Sequence, residues 1–440
     1  MVPRTRLAYI ASIVLAIFAF VIVCGATVSR ADEPVEITFW HAMSRSRGKV
    51  LNQLVDEFNK ANPNIVVKSV CIQSQNKEYG NDYNALYSKI LENIAKNTPP
   101  DVAQVYENWT TQYVGIDALV PVESLMTGND KAAMKDIVPV FLSANTFTSP
   151  SGEKQLYTLP FNKSIYVLFY NKNIFRELGL KPPTTWQELR KAAKVIADRK
   201  GIPGLAFQPS VDIFGHYLYS YGGTYISKTN NGAGFGGRLG VADLAYWVDL
   251  VHKDHSAKPT FDATKLFQNG QAGMYIETTS RIGGFEDARA SGLDFGVMPI
   301  PKGSTQASQF AGTNLAIFRG ANDVEKQNAA YKFVSYMCSP AVTAKWSIQT
   351  GYLPVRKSAI NSPAYQNHVK QHPEYAVGLK SLDKATVQPR VPVWESIRSI
   401  LDDAMFKALG RKCDTETAIQ EAVDTSNKLL YSVGSYEHND

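Results

Sequence analysis

Between Val35 and Tyr106 the chain switches repeatedly between two hydrophobic periods, and this constrains the fold more than any other feature. Val35, Ile37 and Phe39 alternate with Glu36, Thr38 and Trp40, a period of two that predicts a strand. Val50, Leu51, Leu54, Val55 and Phe58 then share one face of a helix that stops before Pro63. Ile65 to Ile72 predicts a second strand. Leu86, Ile90 and Ile94 mark a second helix, closed by Pro99-Pro100, and Val102 to Tyr106 predicts a third strand. This β-α-β-α-β order predicts a parallel sheet with covering helices, the α/β class.

The later chain is less regular. Thr185-Trp186-Gln187-Glu188 is a capping box opening a helix that runs to Gly201, with Trp186 on its core face beside Leu189, Ala193 and Ile196. Leu239 to His252, Lys326 to Met337, Trp394 to Leu409 and Thr415 to Leu430 predict further helices; Phe295 to Met298 and Asn314 to Phe318 predict short strands. Asn230 to Gly237 predicts a flexible loop. An amphipathic run from Ala341 to Gln349 ends in Thr350-Gly351-Tyr352-Leu353-Pro354, a helix stop followed by a rigid corner. The 440 residues suffice for two lobes with separate cores.

The first residues have the form of a secretory signal: Arg4 and Arg6, an apolar stretch from Leu7 to Val23, then Ser29-Arg30-Ala31 for cleavage. The apolar stretch is long, so an uncleaved anchor is the alternative. Val23 before Cys24 argues against lipidation. The formal net charge of +6 falls to +3 without Arg4, Arg6 and Arg30. That is too mild and too dispersed for nucleic-acid binding. Cys71, Cys338 and Cys413 remain, with no metal-type spacing and room for one disulfide at most.

Five short runs occur in order with the corner: Phe39-Trp40-His41, Gln104-Val105-Tyr106-Glu107, Pro160-Phe161-Asn162, Tyr170-Asn171-Lys172 and Thr185-Trp186-Gln187. With these runs the chain resembles, over nearly all its length after the signal, the extracytoplasmic solute-binding proteins of sugar-type ABC importers (extracellular solute-binding protein family 1). Among them it is most similar to the sn-glycerol-3-phosphate-binding type. The resemblance implies a two-lobed periplasmic-binding-protein-like α/β fold with a hinged central cleft. After a signal at 1–31, one lobe would take 32–164 and 313–352, the other 165–312 and 353–440. The chain would cross near Ser164-Val167, Phe310-Thr313 and Tyr352-Arg356.

The same resemblance implies the binding residues. Glu107 follows a predicted parallel strand, where open α/β sheets bind ligands, and would accept from two ligand hydroxyls; read unaided it is an exposed loop carboxylate. Tyr83 would pack on a polyol. Ser164, Thr278, Gly312 and Tyr352 match further ligand-contacting positions, Thr278 replacing a serine. Arg398 matches the arginine that meets the phosphate, with the paired donors a phosphate needs; its truncation is expected to spare folding. Lys163 departs from the small residue usual beside Ser164 and is expected to point outward. Arg281 is additional to the pattern, as a second phosphate partner or a surface charge, and Arg390 also aligns with a family arginine. Gly204 to Pro209 lacks a tryptophan usual there, so Phe207 and Trp109 are expected to face a larger head group.

The implied function is capture of sn-glycerol-3-phosphate or a glycerophosphodiester, without cofactor, metal or catalytic residues, for delivery to two transmembrane permease subunits with associated ATPase subunits. The protein would be periplasmic and monomeric when free. A sugar or oligosaccharide receptor and an exported phosphodiesterase are the alternatives. His368 and His372 have helical spacing, but Pro373 follows and no third metal ligand is evident. Gly232, Gly234 and Gly236 follow a polar loop rather than a strand, against a phosphate-binding fingerprint.

Overall fold

The computed structural model describes residues 33–74, 82–228, 232–320 and 323–433. The signal expected at 1–31 and part of the Asn230–Gly237 loop lie outside them. Among the described residues no helix is long and apolar enough to cross a membrane.

The N-terminal alternation forms the expected parallel unit. Strand β1 (Val35–His41) leads into helix α1 (Arg45–Ala61), β2 (Ile65–Cys71), α2 (Asp82–Ala95), β3 (Val102–Val105) and α3 (Glu107–Gly115). β1 pairs in parallel with β2, from Val35 opposite Ile65 to His41 opposite Cys71, and with β3 on its other side. Leu51, Leu54, Val55 and Phe58 of α1 are buried, as their spacing predicts.

The long strand β4 (Thr158–Asn171) was not legible as a strand. Pro160, Asn162, Lys163 and Ser164 lie in a run that is buried almost throughout. Proline disfavours a central strand, and here the ladder shifts register: Thr313 faces Asn162 but Asn314 faces Pro160. The extra residue, Phe161, forms a bulge that accommodates the missing N–H. The Asn162 side chain is satisfied by Thr313, so its burial is not left uncompensated.

β4 changes partners along its length. Its first part, to Ile165, pairs with β9 (Ser308–Phe318). From Tyr166 onward it pairs with β7 (Met274–Thr278) and β8 (Phe295–Pro299). Beyond β7 come β5 (Leu205–Phe207) and β6 (Ala257–Pro259), in the order β2-β1-β3-β9-β4-β7-β5-β6. One half of the sheet is thus built on β1, β2 and β3, the other on β5, β6 and β7. Helices α4 (Trp186–Lys200), α5 (Val211–Ser220) and α6 (Gly237–His252) cover the second half, with α9 (Trp394–Leu409) and α10 (Thr415–Val433) outside them; α7 (Val324–Met337) and α8 (Pro340–Thr350) pack on the first.

Thr185 and Glu188 form the expected reciprocal cap on α4, and Trp186 is fully buried with its indole donating to Ser220 Oγ at 2.8 Å. α8 stops at Gly351, whose φ of 81° is left-handed. A Cβ there would lie 2.6 Å from the Thr279 carbonyl, so only glycine fits the corner. Cys71, Cys338 and Cys413 are all free thiols.

Candidate ligand-binding site

Parallel strands place their C-terminal ends, and the loops after them, on one edge of a sheet, and this edge lines the principal cavity. It is a cleft of about 800 Å³ with an adjoining recess of about 90 Å³. Ser44 and Arg47 reach it from the loop after β1 and the first turn of α1, and Tyr83 from the start of α2. Tyr106, Glu107 and Trp109, just after β3, line the recess. Ser164 and Gly312 come from the paired strands β4 and β9. From the second half of the sheet come Glu277 and Thr278 at the end of β7, Arg281 just after it, and Asp212 of α5.

α9 presents one stripe to this space: Glu395, Arg398, Ser399, Asp402 and Phe406 are all lining residues. Their spacing of three and four places them on one helix face. All seven positions expected from the sequence (Tyr83, Glu107, Ser164, Thr278, Gly312, Tyr352 and Arg398) therefore face the cleft or its recess. Gly312 has φ 96°, and a Cβ would fall 1.8 Å from the Asn162 carbonyl. The strand crossing requires a residue without a side chain there.

Three expectations need correction. Lys163 does not point outward. Its side chain is only 2% exposed and is ion-paired with Glu107, which also accepts from Asn314 Nδ2 at 3.2 Å. In β4 the Lys163 side chain has no route to solvent, and burial lowers its pKa while Glu107 opposes that shift. Second, Arg398 is not free of protein partners: its side chain is 20% exposed and two of its five donors are spent within the protein. Nη1 and Nη2 donate to the two carboxylate oxygens of Asp212 at 2.9 and 3.0 Å. Asp212 also accepts from Tyr166 at 3.0 Å and Gln388 at 2.8 Å. Burial alone would raise Asp212, but the Arg398 charge and hydrogen bonds hold it below the ordinary carboxylate range. Third, Phe207 is fully buried against Trp247, 5.1 Å between ring centroids; Gln208 and Pro209 line the cleft instead.

Trp109 lines the recess but is nearly buried, and its indole donates to Glu395 at 3.1 Å. Asn108 donates to the same oxygen at 2.5 Å, so Glu395 ties α9 to the start of α3 across the recess. Arg390 binds the Ser143 and Thr146 carbonyls and covers the Phe147 ring, away from the cleft lining. His368 and His372 stack at 4.6 Å, and Glu286 and Glu374 lie near His372, a group that sequence spacing could not reveal. Arg289 already pairs with both carboxylates there.

Sequence reasoning missed Arg47, Asp212, Glu395 and Asp402. Asp402 accepts the Val211 backbone N–H at 2.5 Å. Burial raises its pKa to about 6; Arg398 and the Val211 bond oppose the rise, and Asp212 and Glu395 add to it. A carboxyl raised in the folded state holds its proton where the unfolded chain has lost it. Its penalty on stability therefore grows as pH rises from about 4 to about 6 and is complete above that. Asp402→Asn is expected to raise stability at pH 7.5 by up to about 3 kcal/mol, less where cleft water screens the charge, and to leave it unchanged near pH 4. Urea denaturation at the two pH values checks this; equal effects at both would contradict it.

The family model described as "Bacterial extracellular solute-binding protein" matches residues 53–374. The sn-glycerol-3-phosphate-binding periplasmic protein UgpB of Salmonella typhimurium is 26% identical over 418 residues, covering 90% of this chain and 92% of the relative. Among solved structures, UgpB from Mycobacterium tuberculosis in complex with glycerophosphocholine superposes with a TM-score of 0.79 at 21% identity, covering 90% of this chain and 98% of that one. The GacH receptor of Streptomyces glaucescens, solved unliganded and with acarbose, has the same TM-score at 22% identity, covering 91% and 100%. The second likeness is to a receptor for a different ligand class, so the shared fold does not by itself choose the solute. The two-lobed α/β architecture, the cleft at its sheet edge and the family match together place the chain: it belongs to the bacterial extracellular solute-binding protein family.

Proposed function

We propose that this protein is the exported substrate-binding component of an ABC importer for sn-glycerol-3-phosphate and glycerophosphodiesters, with no catalytic step of its own. One observation carries the reading. Arg47, Arg281 and Arg398 reach a single cleft from three separate elements, and of the three it is Arg398 that is held in a bidentate carboxylate pair, leaving Arg47 and Arg281 with most donors open to the cleft. A neutral sugar needs no such cations, whereas a phosphate ester does. The relatives named for sn-glycerol-3-phosphate support the choice. Tyr83, Glu107, Ser164, Thr278, Gly312 and Tyr352 supply the ring, hydroxyl and backbone surfaces for a polyol, with Arg398 beside them.

The cleft also carries acids that a simple phosphomonoester would not require: Asp82, Asp212, Glu277, Glu395 and Asp402. Mixed charge of this kind suits a diester whose phosphate bears a cationic head group, such as glycerophosphocholine. The ligand gains contacts from both halves of the sheet and so favours the closed state. A pair of membrane permease subunits then receives it, driven by their ATPase partners. In this reading the chain is exported by its amino-terminal signal and works in the periplasm as a monomer. A second reading, a neutral oligosaccharide, is favoured by Phe261 and Phe406. These rings are 54% and 41% exposed, lie 6.0 Å apart and line the cleft, a surface on which sugar rings can stack.

Calorimetric and thermal-shift titrations with sn-glycerol-3-phosphate, glycerophosphocholine, glycerol and maltotriose decide between these. Saturation at a thousandfold excess over Kd stabilises by about 4 kcal/mol. Both phosphate esters are expected to raise the midpoint, with glycerophosphocholine bound within tenfold of sn-glycerol-3-phosphate. A response to maltotriose alone overturns the reading. A preference of more than about a hundredfold for sn-glycerol-3-phosphate, near 2.7 kcal/mol, removes the diester from it.

A further inference from the structure

We propose that the anionic group of the ligand is anchored by Arg47 and Arg281, one guanidinium from each half of the sheet, rather than by Arg398. The inference deepens the phosphate-ester reading of the cleft and rests on it. It begins with how many donors each arginine has already spent.

A guanidinium has five N–H donors in a planar fork. Arg398 commits two of them to Asp212 in a bidentate pair, so its charge is compensated within the protein. Arg47 has no carboxylate partner among the described residues. Its one hydrogen bond is from Nη1 to the Tyr352 hydroxyl at 3.2 Å. Arg281 meets a single carboxylate, Glu277, through Nη2 at 3.4 Å. Glu277 is itself engaged by the Tyr275 hydroxyl at 3.2 Å and the Thr278 amide at 2.9 Å. Both arginines line the cleft with most of their donors uncommitted.

They also face each other electrostatically. The Arg281 charge disfavours the protonated Arg47, although the balance at Arg47 remains upward, led by Tyr352. Tyr352 lies at the same place, 4% exposed and stacked on Trp346 at 5.5 Å. Burial pushes this phenol up, yet the Arg47 charge and hydrogen bonds bring it below the ordinary tyrosine value. The half-buried cleft tyrosines Tyr83, Tyr106 and Tyr166 are raised well above it, chiefly by desolvation. Arg47 and Arg281 both act on Tyr352, and Arg47 is hydrogen-bonded to it, so the two guanidiniums share one corner of the cleft.

Backbone geometry adds to it. Arg47 is in the first turn of α1, a 17-residue helix with no acid in that turn and no side-chain cap from Ser44. The positive end of its dipole thus lies beside the same corner. Asp82 also lines the cleft and accepts from the Ser74 amide at 3.0 Å. Thr278 and Ser280, whose hydroxyls meet at 2.8 Å, border the corner, and the one that accepts in that bond keeps its own proton to donate to an anion. Two like charges reaching from the two halves of the sheet repel each other until an anion lies between them. Binding then converts a repulsion across the cleft into two attractions, which is what a closing receptor needs. The acidic stripe of Glu395 and Asp402 is left to face the remainder of the ligand.

The test uses the mature protein with Arg47→Gln and Arg281→Gln. The probes are sn-glycerol-3-phosphate and glycerophosphocholine by calorimetry, and inorganic phosphate by thermal shift at constant ionic strength. Each substitution is expected to weaken the esters at least thirtyfold and to abolish the phosphate-dependent shift. Arg176→Gln, an exposed surface arginine (70% exposed), should change neither. Should a glutamine variant fail to fold, Arg47→Lys and Arg281→Lys replace it: keeping the charge but losing the fork, they should bind with intermediate affinity. Ester affinities within threefold of wild type in folded Arg47 and Arg281 variants would overturn the anchor. Wild-type protein that ignores the esters but responds to inorganic phosphate, through Arg47 and Arg281, would support the anchor while refuting the proposed solute. Silence toward both probes overturns the anchor.

Discussion

Arg398→Ala is expected to destabilise the folded protein by about 3–5 kcal/mol, because it strands Asp212 inside the cleft wall without its cation. This reverses what the sequence suggests for an arginine on an amphipathic helix, which is that folding should be spared. Asp212 is 9% exposed and draws hydrogen bonds from Arg398, Tyr166 and Gln388. Removing the guanidinium leaves a buried carboxylate that must ionise at a cost or take up a proton. Asp212→Asn should likewise destabilise, stranding the cation, while Arg398→Gln with Asp212→Asn removes both charges and should recover most of the loss. Urea denaturation of Arg398→Gln, Asp212→Asn and the double variant gives the coupling energy directly. Additive losses would show that the pair is not a coupled unit. The affinity of folded Arg398 variants for phosphate esters should fall less than that of Arg47 or Arg281 variants.

Lys163→Met should cost a similar amount, about 3–5 kcal/mol at pH 7.5. Lys163 and Glu107 are the more deeply buried pair, with side chains 2% and 12% exposed, and Asn314 Nδ2 also donates to the carboxylate oxygen that Lys163 meets. Without the ammonium, Glu107 would be a buried carboxylate with no counter-charge, which must ionise at a cost or take up a proton. A buried acid penalises the fold only where it must ionise, so the loss should shrink as pH falls toward 4. Adding Glu107→Gln to Lys163→Met should restore stability at pH 7.5, at a cost to ligand affinity if Glu107 contacts the ligand hydroxyls. Denaturation midpoints at pH 4.5 and 7.5 test the idea, and a loss that is independent of pH would refute it.

Much of the scaffold was legible because its signals are local. Hydrophobic periods switching between two and 3.6 located β1, α1, β2, α2 and β3, and the C-terminal helices α9 and α10. The Thr185–Glu188 cap and the Gly351 stop are short-range geometry that a dipeptide or tetrapeptide announces. Short runs shared with a known family supplied the seven expected positions, and all of them line the cleft or its recess.

What resisted reading was decided by partners far along the chain. β4 carries a proline and a lysine that argue against a central strand, and it exists because β9 absorbs the register shift and Glu107 neutralises the lysine. Arg398 and Asp212 are 186 positions apart, and nothing near either residue announces the other. The same holds for Arg47 and Tyr352, separated by 305 positions. The sequence by itself determined the α/β class, the sheet edge that would carry the cleft and the residue types offered to it. Only the tertiary structure decided which charges cancel and which remain available, because electrostatic pairing depends on distance and burial in the folded state, and neither is written in local pattern.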